Sequence, residues 1–149
     1  MKLIDLNILL YAINKDAPHH GPIQAWWEQA LNGNEPLGLP WVVLLGFLRI
    51  STNHDIFPQP LDPDTAIQKV HAWLSLDTTR LVLEKDEHWE ILRSLVSETG
   101  TAANLVTDAH LAALAISYGA TLVSCDNDFA RFKRLRWENP MSRKPHRRS

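Results

Sequence analysis

The 149-residue chain predicts an α/β domain built on a parallel sheet. Three observations support this. Short apolar runs fit for buried strands alternate with longer segments whose apolar residues recur at helical spacing. The length suits one domain, able to bury roughly two thirds of the surface its unfolded chain exposes. A hydrophobic share of 45% excludes a disordered chain.

The elements follow in order. Lys2-Leu3-Ile4-Asp5 reads as a short buried strand ending on a carboxylate, after which Asn7 and Ile8-Leu9-Leu10-Tyr11 begin a helix. A second helix is expected from about His20 to Leu31, with Ile23, Trp26, Trp27 and Ala30 at helical spacing. Asn32-Gly33-Asn34 stops it, and Pro36-Leu37-Gly38-Leu39-Pro40 leaves room for one short strand. The apolar run from Trp41 to Ile50 suggests a buried helix. After a loop marked by Pro58, Pro60 and Pro63, Asp62 or Asp64 caps a helix to about Leu76 that buries Ile67, Val70 and Trp73/Leu74. Arg80-Leu81-Val82-Leu83 is the next strand, and residues 87–98 place Trp89, Leu92 and Val96 on one helical face. Asn104 or Thr107 precedes a small-residue helix running from Asp108 to Ile116, suited to close packing on a sheet, with Gly119 as its stop. Ala120-Thr121-Leu122-Val123-Ser124 is a strand, Asp126 follows it, and Leu135-Arg136-Trp137 suits a last edge strand. Residues 1–140 form the expected domain, and residues 141–149 a flexible basic tail.

Composition narrows the function classes. No apolar run is long enough to span a membrane, and Asp5 interrupts any apolar leader segment, so the chain reads as soluble and cytoplasmic. Cys125 is the only cysteine, which excludes an internal disulfide and a cysteine-based zinc site. The net charge of -2 hides an asymmetry: residues 1–130 carry 7 basic and 16 acidic side chains, residues 131–149 carry 8 basic and 1 acidic. An acidic body suits divalent cations and a basic end suits phosphates, although on charge alone a solvated surface with a frayed basic tail is the better reading.

Three aspartates stand where an α/β fold puts its chemistry. Asp5 ends the first strand, Asp126 ends a later one, and Asp108 opens a helix. In open α/β sheets such positions meet in one crevice at the carboxyl edge. Each also has an ordinary structural role: Asp5 and Asp108 as N-caps, Asp126 and Asp128 in an Asx turn. Only convergence separates the two readings, because three caps need not meet. Oxygen-only ligands suit a hard cation, Mg²⁺ or Mn²⁺, which activates water and stabilises charge on a phosphodiester.

Four ordered blocks then resemble a family. They are Asp5-Leu6-Asn7-Ile8-Leu9-Leu10-Tyr11, Phe47-Leu48-Arg49-Ile50-Ser51-Thr52-Asn53, Asp108-Ala109-His110-Leu111-Ala112-Ala113, and Leu122-Val123-Ser124-Cys125-Asp126-Asn127-Asp128-Phe129. Together they are similar to the PIN-domain ribonucleases, and more narrowly to the VapC-type toxins of toxin–antitoxin pairs. The resemblance implies a three-layer α/β/α fold and a Mg²⁺- or Mn²⁺-dependent endoribonuclease. It implies Asp5, Asp108 and Asp126 as catalytic and metal-binding acids, Asn7 and Ser124 as supports, and Asp128 as an extra acid. It also implies an RNA substrate, a homodimer and a cognate VapB-like antitoxin.

One departure stands out. Many members carry a glutamate three residues before the arginine matching Arg49, and here that position is Gly46. A natural branch feature, a detoxified variant and an inactive homologue each account for it. The coherent packing pattern of Trp41–Phe47 favours the first. Glycine costs up to about 1 kcal/mol in a helix, which suggests a close approach there. An inactive PIN-fold module that binds a protein or RNA partner is therefore the alternative function. An aspartate-nucleophile phosphatase is disfavoured by Asn7 where a second aspartate is needed, and a receiver domain by the lack of a lysine after its late strand. Arg49 faces the site if the match holds, to contact phosphate or an acid, or else forms a structural ion pair at its helix end. His110 diverges from Asp108 on its helix and reads as a surface or partly buried histidine rather than a ligand or base. Trp26 and Trp27 cannot both face one core, which leaves one for a partner surface. The basic end, from Arg131 through Arg148, suits an RNA backbone.

Overall fold

The N-terminal apolar run becomes β1 (Lys2–Ile4), whose Leu3 and Ile4 are fully buried. It lies at the centre of the sheet in a computed structural model that describes residues 1–100 and 103–142. Its neighbours are β2 (Leu37–Pro40) and β4 (Thr121–Val123), and β3 (Thr79–Val82) and β5 (Arg136–Glu138) form the edges, giving the order β3-β2-β1-β4-β5. Every pairing is parallel, and Leu3 aligns with Gly38 on one side and Leu122 on the other. The central strands carry unbroken apolar runs because helices cover both faces. The result is the three-layer α/β/α architecture, with the strand order reversing between β1 and β4. A crevice opens at such a reversal, outside the carboxyl ends of the strands.

Six α-helices connect these strands among the described residues: α1 (Leu6–Ile13), α2 (His20–Leu31), α3 (Trp41–Ser51), α4 (Pro63–Leu74), α5 (His88–Thr99) and α6 (Val106–Ser117). Helix α1 packs on α2 and α3, α3 on α4, and α5 on α6. Trp73 of α4 meets Trp27 of α2 and Phe47 of α3 edge-on, with ring centroids 5.7 and 5.0 Å apart. Phe47 is fully buried, so truncating it would cost about 3–5 kcal/mol. Helix α6 ends on Gly119, whose φ of 61° is the left-handed cap that its sequence predicts. Ala120 N then donates to Ala115 O at 2.8 Å, which closes the last turn. Among the described residues no helix is long and apolar enough to cross a membrane.

Several expectations shift. Asp62, not Asp64, caps α4, through its Oδ1 and the Thr65 amide at 2.9 Å. Ile67 is 55% exposed, while Ala66 and Trp73 fill the buried face of α4. Trp89 is 64% exposed; α5 buries His88 and Leu95 and leaves Trp89, Leu92 and Val96 lining a shallow apolar groove with Val106. Helix α6 starts at Val106, so Thr107 sits inside its first turn rather than before it. Trp27 enters the core and Trp26 remains half-buried beneath Lys2 Nζ, 5.8 Å from its ring centre. Of the expected tail, residues 143–149, with Arg143, Lys144, Arg147 and Arg148, lie outside the described residues.

Candidate active site

Asp5 leaves β1 at the reversal point and is held there by its neighbours. Its amide donates to Val123 O at 3.0 Å, tying it to β4. Its carboxylate caps α1, with Oδ1 accepting from the Leu6 amide at 2.7 Å. Oδ2 accepts from Ser124 Oγ at 2.7 Å and, at 3.4 Å, from Asn7 Nδ2. Ser124 is fully buried, and its hydroxyl also accepts from Asn7 Nδ2 at 3.1 Å and from the Asp126 amide at 2.9 Å. Asn7 Oδ1 accepts from the Cys125 amide at 3.1 Å. The Ser124 hydroxyl thus uses its one donor and both acceptor positions, a satisfied network linking the ends of β1 and β4.

The other acids come from two elements. Asp126 follows β4 and caps a short 3-10 helix (Asn127–Arg131), its Oδ1 accepting from the Asp128 amide at 2.9 Å. Asp108 lies in the first turn of α6, whose N-cap position is Leu105, so the carboxylate is not occupied in capping. Asp108, Asp126 and Asp128 each bring an oxygen within 4.8 Å of the others. Asp5 caps its helix and Asp126 makes its turn, the ordinary roles open to them in the sequence, and the acids that meet are Asp108, Asp126 and Asp128, with Asp128 rather than Asp5 as the third member.

This crowding has an electrostatic signature. Burial, then the charges of Asp126, Asp5 and Asp128, push Asp108 up to about 6, against a downward pull from Arg131. Burial raises Asp5 as well, against the hydrogen bonds from Ser124 and Leu6, with Asp126 adding repulsion. Burial and Asp5 drive the Cys125 thiol up to about 11, so it stays protonated at neutral pH. The donors are oxygens within 4.8 Å of one another, and a hard cation with bonds of about 2.0–2.2 Å would need them drawn only slightly closer. The residues therefore fit a divalent cation such as Mg²⁺ or Mn²⁺.

Two basic residues exchange their expected places. Arg49 is exposed in the last turn of α3, and no ion pair or hydrogen bond joins it to the acids among the described residues. The cation acting on the cluster is Arg131, whose Nη2 lies 3.7 Å from Asp128 Oδ1. Sequence reading counted it only as part of the basic end, although the three-residue spacing from Asp128 was visible. Arg134 turns to Ser94 Oγ at 2.7 Å and Arg136 to Gly119 O, both away from the acids. His110 is partly buried, as expected, but its partner was not foreseen: His110 Nδ1 lies 2.9 Å from His88 Nε2, while His110 Nε2 lies 3.5 Å from Glu84 Oε2.

Comparison with known proteins places this arrangement. Residues 2–135 match the PIN domain family. The chain is 45% identical over 140 residues to Ribonuclease VapC37 of Mycobacterium tuberculosis, covering 94% of this chain and 97% of that one. It is 40% identical over 146 residues to Ribonuclease VapC43 of the same species, covering 98% and 99%. The fold is shared with VapBC2 from Rickettsia felis bound to a promoter DNA fragment, with a TM-score of 0.69 at 22% identity over 93% and 97% of the two chains. It is also shared with Mycobacterium tuberculosis VapC20, titled a sarcin-ricin loop cleaving toxin, with a TM-score of 0.64 at 18% identity over 91% and 99%. The chain belongs to the PIN domain family and, within it, to the group of VapC ribonucleases.

Proposed function

We propose that this chain is a Mg²⁺- or Mn²⁺-dependent endoribonuclease, the toxin of a toxin–antitoxin pair, hydrolysing RNA phosphodiester bonds. The observation that carries the reading is the meeting of Asp108, Asp126 and Asp128 within 4.8 Å at the reversal point of the sheet, with Asp5 beside them. The ribonuclease names of relatives at 40–45% identity support the substrate class.

A bound divalent cation supplies neutralising charge for the phosphate and activation of water. The chain's residues do the rest. Asp5, Asp108 and Asp126 are the proposed catalytic and metal-binding acids, with Asp128 as a further acid. Ser124 and Asn7 fix the Asp5 carboxylate so that it need not reorganise during the reaction. Arg131, exposed beside Asp128, is placed to engage a phosphate oxygen of the RNA; Arg49, on the exposed end of α3, is a second candidate for backbone contact. A VapB-like antitoxin is the proposed partner, in line with structural neighbours titled VapBC and toxin–antitoxin complexes. A homodimer in the cytoplasm completes the reading.

Gly46 favours a second reading, a PIN-fold module that binds a protein or RNA without cleaving it. Incubation of total RNA with the purified chain and a Gly46→Glu variant in Mg²⁺ or Mn²⁺ separates the two. Discrete fragments that disappear with EDTA are expected from the native chain. Cleavage by neither protein, with both folded, would leave only the binding module.

A further inference from the structure

The acid-bearing turn after β4 is gripped by side chains of the edge strand as well as by Asn7 and Ser124. The pairing of β4 with β5 ends at Val123 and Glu138, and Ser124 N donates to Glu138 O at 3.1 Å as the last backbone rung. Past that rung the next two carbonyls of the turn are met by side chains. Trp137 Nε1 donates to Ser124 O at 3.1 Å, and Asn139 Nδ2 donates to Cys125 O at 3.3 Å. Asn139 Nδ2 also donates to Asn127 Oδ1 at 3.1 Å, which holds the residue standing between Asp126 and Asp128. Asn139 Oδ1 accepts from the Met141 amide at 2.9 Å, so both amide hydrogens and the oxygen of this side chain are engaged. Aspartate lacks those donors, and serine is too short to bring a donor to both partners. Trp137 and Asn139 lie two residues apart and so share one side of the strand direction. Glu138 between them turns elsewhere, to Lys2 Nζ at 3.0 Å.

We infer that Trp137 and Asn139 are positioning residues: their clamp on residues 124–127 sets where Asp126 and Asp128 stand relative to Asp108. This rests on the ribonuclease reading above and extends its machinery to the edge strand. The turn is held in two halves. From the β1 side, Asn7 Oδ1 takes the Cys125 amide at 3.1 Å, and within the turn Ser124 Oγ takes the Asp126 amide at 2.9 Å. From the β5 side, Trp137 and Asn139 serve the carbonyls. Loss of the β5 half leaves two successive carbonyls without their donors and frees Asn127, while the central strands keep their pairing. The charges of Asp126 and Asp128 repel that of Asp108, so a loosened turn lets the acids draw apart. A shift on the order of 1 Å in a reacting geometry can cost about a hundredfold in rate. The edge strand thus governs the reaction without touching substrate.

The test pairs amide hydrogen exchange with RNA cleavage in two variants of the full chain. Asn139→Ser keeps an oxygen for the Met141 amide but loses the amide donors. Trp137→Phe keeps an aromatic ring and loses the indole N–H. In EDTA, each variant is expected to exchange the Cys125 and Asp126 amides at least about tenfold faster than the native chain, with the buried amides of β1 unchanged. In Mg²⁺ or Mn²⁺, each is expected to lower the single-turnover rate at saturating RNA by at least about tenfold. The half-saturating RNA concentration is expected to stay within about twofold of native. Native exchange at the turn in both variants, or weaker RNA affinity with an unchanged rate, would overturn the inference. So would an equal speed-up of the β1 amides, which marks a global loss of stability instead. A native chain that cuts no RNA, with the turn loosened in both variants, would overturn the ribonuclease reading while upholding the clamp.

Discussion

Ser124 Oγ donates a 2.7 Å hydrogen bond to Asp5 Oδ2, joining residues 119 positions apart in the chain. The bond fastens the end of β4 to the end of β1 and holds a buried carboxylate in one orientation. Removing the hydroxyl leaves that carboxylate short of its closest side-chain donor and takes the acceptor from the Asp126 amide. Hydrogen bonds to charged groups contribute about 1.5–3 kcal/mol, so Ser124→Ala is expected to lose roughly that in urea unfolding at neutral pH. The deficit should shrink as pH falls and Asp5, raised by burial, takes up a proton. An unchanged unfolding midpoint at neutral pH would mean the brace is unimportant.

Asp108 makes a prediction of opposite sign. Its folded value of about 6 lies above the ordinary carboxylate value of 3.8, so the folded state binds more protons between those pH values. Its contribution to stability is therefore present in acid and is lost as pH rises through about 6. Asp108→Asn removes that loss. With the group partly open to solvent and screened accordingly, the gain at neutral pH without metal is on the order of 1 kcal/mol. For a domain of this size that is a rise of about 2–4 °C in melting temperature, and the two proteins should converge near pH 4. Added Mg²⁺ or Mn²⁺ should stabilise the native chain and not the variant. Calorimetry in EDTA and in metal reads both effects.

The contact between α5 and α6 carries its own pH dependence. Burial, then His88, hold His110 below the ordinary histidine value, against the upward pull of Glu84. The unfolded chain thus takes up a proton first as pH falls through about 6.5, and stability drops there. In an Asp108→Asn background, where one of the two opposing carboxylates is absent, melting temperature should fall more from pH 7 to pH 5 than it does in the native chain. Adding His110→Asn should flatten that fall. A slope that persists in the double variant would place its origin elsewhere.

Arg131 and Asp128 pair at 3.7 Å with both side chains exposed, and such pairs add about 0–1 kcal/mol to stability. Arg131→Ala should therefore leave the melting temperature nearly unchanged. Its expected effect is on RNA. Affinity should weaken uniformly across sequences, and the slope of binding against salt should fall by about 1. Fluorescence anisotropy across a KCl series, in EDTA to prevent cleavage, measures it.

Much of this site was legible locally. Asp5 followed by an apolar helical run, and Ser124-Cys125-Asp126 after a buried strand, are patterns of strand end and cap that neighbouring residues decide. The parallel sheet followed from short apolar strands separated by helices, and its order β3-β2-β1-β4-β5 then brings those strand ends together. What stayed hidden depends on partners distant in sequence. The stripe Trp89, Leu92 and Val96 has helical spacing, yet α5 rests on Leu95 and His88, a choice made by the surface of α6. Glycine at 46 announced a close approach, but not that Leu6, 40 positions earlier, makes it. Arg49 entered through the family match, which turns it to the site, whereas the turn after Asp126 decides which guanidinium reaches the acids.

The most direct test of the central claim is single-turnover RNA cleavage by metal-depleted protein, with Mg²⁺ or Mn²⁺ added back, for the native chain and for Asp108→Asn and Asp126→Asn. The account predicts no cleavage in EDTA, recovery on adding either cation, and rates lower by at least about a hundredfold in each folded variant, equivalent to about 2.7 kcal/mol of lost transition-state stabilisation. Cleavage by the native chain that persists in EDTA, or native rates in either variant, would contradict it.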